Sequence, residues 1–133
     1  MMSAPAPVDV ELVLIGWLQV RLGPAVVVRD ELDNNLVAEL PTVQVETVGG
    51  DDDGFRLDRP LVDINVYASS RAAAVELAGR VRSLLLHELR GSTTATAVFG
   101  RVSTLTLPAP RPYENTALRR VGATYEVFCH PVS

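Results

Sequence analysis

The stretch from Arg59 to Gly91, RPLVDINVYASSRAAAVELAGRVRSLLLHELRG, reads as one strand feeding one helix. From Leu61 to Tyr67 the residues alternate: Val62, Ile64 and Val66 point one way, Asp63 and Asn65 the other. That is a sheet with one apolar and one wetter face, which suits an antiparallel or mixed sheet. The chain then turns at Ala68-Ser69-Ser70, where either serine can cap a helix by accepting a bond from a free backbone N–H. Beyond it, Ala74, Ala78, Val81, Leu85 and Leu89 recur at helical spacing, flanked by Leu77 and Leu84. Gly91 is a suitable terminator, because glycine takes the left-handed conformation cheaply.

Working outward toward the N-terminus, residues 1–7 read as a flexible leader, and a helix is expected from Val8 to Leu22, stopped by Gly23-Pro24. Its apolar residues cover nearly the whole circumference, which calls for a second covering surface. Leu14, Trp17 and Leu18 are therefore expected to anchor a subunit interface. Ala25 to Val28 is a short strand. Residues 29–41 read as strand, turn and short strand around Asp33-Asn34-Asn35, with a helical turn as the fallback. Thr42 to Val48 alternates and is a firmer strand. Gly49 to Gly54 reads as a flexible acidic loop, the tip of a long hairpin, leading into a strand from Phe55 to Tyr67.

Toward the C-terminus, Ala97 to Leu107 is a strand, with Phe99, Leu105 and Leu107 on one face and Val98 and Val102 on the other. Pro108, Pro110 and Pro112 are expected to hold a stiff unpaired loop, since proline has no N–H to give a sheet. Leu118 to His130 is the last strand, antiparallel to its predecessor, with Val121, Ala123, Tyr125, Val127 and Cys129 sharing a face. The expected fold is α+β: a mixed, mainly antiparallel sheet of four to five strands with two helices packed on one face, in a single domain over 1–133.

The 133 residues are enough for a substantial core. A net charge of −4 argues against a general nucleic-acid-binding surface. All twelve basic residues are arginine, as a GC-rich genome produces. The single cysteine, Cys129, excludes an internal disulfide and sits in an apolar strand pattern. The sequence contains neither a phosphate-binding glycine loop nor the flanking glycines of a nucleophile elbow at Ser69-Ser70. His87 and His130 read as solvated or hydrogen-bonded, so no catalytic, cofactor or metal site is expected. Asp51, Asp52 and Asp53 are consecutive, which does not match the alternating ligands of a calcium loop; they read as a solvated tip or a charged surface toward a partner. Arg111, with Arg119 and Arg120, could bind an acidic neighbour, and Asp63 and Asn65 could pair with Arg119 or Arg120.

The apolar leading helix, the run LVDINVYASSRAAAVELAGRVRSLL and the ending RRVGATYEVFCHP together resemble the tail terminator proteins of long-tailed bacteriophages. The similarity runs from Val8 to Pro131 and includes the small tail-completion proteins of actinobacterial phages. It implies a non-enzymatic virion protein of the tail or neck, assembled in the host cytoplasm. Such proteins form a ring, usually a hexamer, that caps the tail tube protein, stops its polymerisation and meets the head-side connector. DNA passes through the channel without specific binding, and no membrane is involved. On that footing Leu14, Trp17, Leu18, Arg111 and Tyr113 are candidate subunit contacts, and Asp51–Asp53 would face the channel or the tube. Another head–tail connector or tube component is the alternative, followed by a small ferredoxin-like enzyme or ligand-binding domain.

Overall fold

A computed structural model describes residues 7–132, so the leader expected over residues 1–7 falls, apart from Pro7, outside the described residues. The order is α1 (Val10–Leu22), β1 (Val27–Arg29), a 3-10 turn (Leu36–Glu39), β2 (Thr42–Asp52), β3 (Asp58–Ala68), α2 (Arg71–Leu84) continued by a π turn (Leu85–Leu89), β4 (Ala97–Arg111) and β5 (Arg119–Pro131). The five strands form one sheet in the order β1-β2-β3-β5-β4. Only β1 and β2 run parallel; the other neighbours are antiparallel. This is the α+β architecture expected.

The unit 59–91 behaves as its pattern dictates. Val62, Ile64 and Val66 are buried, and Ser70 caps α2 by accepting the Ala73 N–H at 3.2 Å. Ala74, Leu77, Ala78, Val81, Leu85 and Leu89 form the buried stripe of the helix and its π extension. Gly91 ends it at φ 77°. Because β3 and β4 are each antiparallel to β5, α2 is a crossover between two parallel strands with β5 inserted between them.

Both helices lie on one face of the sheet, where a single apolar cluster joins α1, α2 and all five strands. Each large side chain fully buried there contributes about 1.5–3 kcal/mol relative to exposure. α1 is tied to β1 by Gln19, whose Nε2 donates to the carbonyls of Gly23 and Val26 while its Oε1 accepts from Val28 N–H. It is tied to β2 by Glu11, which accepts from Thr47 N–H at 2.7 Å.

Four expectations are corrected. Residues 29–41 contain no second strand: Arg29 holds Asp33 and Glu39 at 3.2 and 3.0 Å, and the fallback helical turn forms instead. In the hairpin β2 runs further than expected, pairing Asp51 with Arg59 and Asp52 with Asp58, while β3 starts at Asp58 rather than Phe55, so the turn falls at residues 53–57. A register shift after Thr47 is absorbed by Gly49 and Gly50 at φ 123° and 122°; a side chain at Gly50 would strike the Arg59–Leu61 backbone. Pro108 and Pro110 lie inside β4, with Ala109 opposite Gly122 and Pro110 opposite Val121. They are tolerated because β4 is an edge strand, where a missing N–H need not break a ladder. Finally, β4 shifts register after Phe99, after Thr104 and after Thr106. Strict alternation therefore fails: Phe99 and Val102 are both buried, whereas Leu105 and Leu107 are exposed.

Candidate functional site

The strands set a polar network on the sheet face that carries no helix. Arg111 Nη1 donates to both Asp63 oxygens at 3.1 and 3.0 Å and to Asn65 Oδ1 at 3.0 Å. Arg120 Nε donates to the same Asn65 oxygen at 3.0 Å, and Thr124 Oγ1 donates to Asp63 Oδ1 at 2.8 Å. Asn65 is buried, yet its side chain is satisfied. Gly122 makes room for this: a Cβ there would fall on Asn65 Oδ1 and the Arg111 guanidinium. The arginine partner of Asp63 is thus Arg111, not Arg119 or Arg120, while Arg119 donates to the carbonyls of Thr116 and Leu118. Beside the network, Tyr67 packs edge-on to Tyr113 at 5.2 Å and, with Leu36 and Leu118, builds a second small apolar cluster. Burial pushes the Tyr67 phenol up, against the pull of Arg120.

Arg111 and Tyr113 therefore spend much of their surface inside the subunit. The same holds more strongly for Leu14, Trp17 and Leu18, which are buried in the chain's own core. Arg21 covers Trp17 further, its guanidinium carbon 3.7 Å from the ring centroid. As anchors for a neighbour these three are unsuitable, because the sheet beneath α1 already covers them. The solvent side of α1 instead exposes Leu12 (66%) and Val20 (79%).

The acidic tip is built rather than loose. Asp51 Oδ1 meets Arg59 Nε at 2.7 Å, and Asp52 Oδ1 accepts from Gly54 N–H at 2.7 Å. Asp53 Oδ1 accepts from the N–H groups of Phe55, Arg56 and Leu57, at 2.9, 2.9 and 3.0 Å. These bonds, that from Phe55 foremost, hold its carboxyl below the ordinary value of 3.8. At the apex Phe55 stands 92% exposed. The sequence reading placed Phe55 in a strand and missed its exposure; the capping aspartate two residues before it was the available signal.

The strongest shifts lie in the core. Burial pushes the Tyr125 phenol to about 12 and the Cys129 thiol to about 11, so both stay neutral at physiological pH. Among the described residues, no group of three His, Cys, Asp or Glu side chains is placed to hold a metal ion. Among the described helices, none is long and apolar enough to cross a membrane.

What this geometry offers is surface: an exposed aromatic at a braced hairpin tip, an apolar ridge on α1 and exposed leucines on an edge strand. Among curated proteins, none matches the sequence significantly. The family profile described as "Phage tail termination protein" matches residues 6–109, from the start of the described chain through most of β4. That span covers well over half of the chain and includes the strand–helix unit from which the fold is read. The chain belongs to the phage tail termination protein family, and so is a structural component of a bacteriophage tail.

Proposed function

We propose that the protein assembles as a ring, a hexamer, on the head-proximal end of the tail tube, stops tube polymerisation there and presents a surface to the head-side connector. The observation that carries this reading is the family match over residues 6–109. The exposed apolar side chains on α1 and β4 support it, since a family of assembly proteins uses such surfaces against neighbours. Assembly takes place in the host cytoplasm, and DNA crosses the ring without sequence-specific contact.

Within that ring the β2–β3 tip faces the tube or the channel. Asp51 and Asp52 contribute negative charge, which repels phosphate and keeps a DNA path free of adhesion. Asp53 acts differently: its carboxylate holds the turn that displays Phe55.

The test is reconstitution. Purified chain added to polymerising tail tube protein is expected to yield short tubes bearing an end ring with sixfold symmetry in electron micrographs. Tubes that lengthen as before, with no chain bound at their ends, exclude the terminator role. A second comparison uses the Asp51→Asn, Asp52→Asn double variant, which keeps Asp53 and leaves an amide oxygen to accept from the Gly54 N–H. Unchanged capping and DNA ejection with that variant would remove the tip charges from the account.

A further inference from the structure

Charge is unevenly divided along the chain. Residues 1–66 carry twelve carboxylates and four arginines, a net −8; residues 67–133 carry four carboxylates and eight arginines, a net +4. The sheet order converts this division into space. α1, β1, β2 and β3 come from the acidic part and occupy one side, while α2, β5 and β4 come from the basic part and occupy the other. From Arg90 to Arg111, a stretch that includes all of β4, there is no carboxylate at all.

Each end of this dipole also carries uncovered apolar surface. At the β1 end, Leu12, Ile15 and Val28 line a groove of about 290 Å³ whose other walls are Asp9, Glu11, Asp30 and Arg29, the last already paired with Asp33 and Glu39. Val20 is exposed further along α1, with the exposed Gly16 between it and Leu12. At the β4 end, Leu105 (51% exposed) and Leu107 (64%) stand out on the strand that also carries Arg101. The register shifts of β4 fall at these places, after Phe99, Thr104 and Thr106, and they turn the side chains outward.

Neither edge is suited to adding a strand. β4 is bulged and carries Pro108 and Pro110, both of which blunt an edge. On β1, Gln19 already takes the Val28 N–H. Contact at either edge must therefore run through side chains.

Resting on the ring reading, we infer that copies of this chain associate head to tail, with the Leu105–Leu107 edge of one seated on the Leu12–Val20 ridge and acidic groove of the next. Opposite charges then meet at every junction, while head-to-head pairing would set like charges together. Two different patches in contact make a heterologous interface, the kind that closes into a ring when the rotation allows. The occupant of each patch is a second copy, because this chain itself supplies the matching charge and the matching apolar surface.

The experiment uses two full-length double variants: Leu12→Asp with Val20→Asp, and Leu105→Asp with Leu107→Asp. All four positions are exposed, so circular dichroism and thermal melting should match the wild type. Self-association, measured by analytical ultracentrifugation and mass photometry, should weaken about tenfold or more in each variant alone. An equimolar mixture should restore one junction only, giving one-to-one complexes that grow no further. If wild-type chains form rings and both variants form them equally well, these faces are wrong and the ring reading stands. A mixture that forms no complex likewise overturns the head-to-tail pairing. If wild-type chains form no ring, either free or on isolated tail tubes, the ring reading fails and this inference with it.

Discussion

Gly122 and Asn65 face each other across β5 and β3, and the space that glycine leaves is filled by the Asn65 amide and the Arg111 guanidinium. Gly122→Ala must push that network aside or displace the strand, so stability should fall by about 1–3 kcal/mol. Urea denaturation measures this, and a variant as stable as the wild type would show that the network yields without cost. Asp53 provides a pH test. Its folded pKa is depressed, so its contribution is present above the unfolded value near 3.8 and is lost as pH falls through the depressed folded value. The Phe55, Arg56 and Leu57 amide resonances should stay fixed down to that window and shift together below it in an NMR titration. Independent movement at each amide would mean that a shared carboxylate does not hold them. At this scale the sequence was partly legible. The polar alternation at Asp63 and Asn65, and Arg120 as a partner for Asn65, could be read directly, but the partner of Asp63, Arg111, depended on β4 reaching 48 residues further along the chain.

Among the elements, α1 shows how a correct composition can suggest the wrong surface. Its residues are apolar nearly all round, yet Leu14, Trp17 and Leu18 are covered by the subunit's own sheet. Trp17→Ala should therefore cost about 3–5 kcal/mol in monomer stability, read from chemical denaturation. Val20→Asp should change it by no more than about 0.5 kcal/mol. Equal stability of the Trp17 variant and the wild type would return Trp17 to the surface. β4 shows the opposite case. Its prolines looked like the end of the strand and proved to be part of its edge. Replacing Pro108 and Pro110 with threonine restores two N–H groups to an exposed edge, so light scattering should report aggregation that the native chain avoids. A pattern of two-residue alternation carries no mark of a bulge, which is why Leu105 and Leu107 were assigned to the face of Phe99.

For the whole molecule, the separation of charge across the sheet makes self-association sensitive to salt. Raising ionic strength toward about 1 M, where the Debye length falls to about 3 Å, should weaken association of the wild-type chain measured by sedimentation. Association unchanged or strengthened by salt would assign the contact to apolar burial alone. The sequence by itself determined the α+β class, the strand–helix unit of residues 59–91, the buried faces of β3, α2 and β5, and the resemblance to tail terminators that the family match supports. These are legible because the direction of a side chain is a local consequence of helix or strand geometry. Only the tertiary structure decided that β4 and β1 are the edges, that Arg111 closes on Asp63, and that the exposed apolar residues include Leu12, Val20, Phe55, Leu105 and Leu107 rather than the centre of α1. Strand order and burial arise from pairing between distant segments, and no local spacing encodes which strand will find which neighbour.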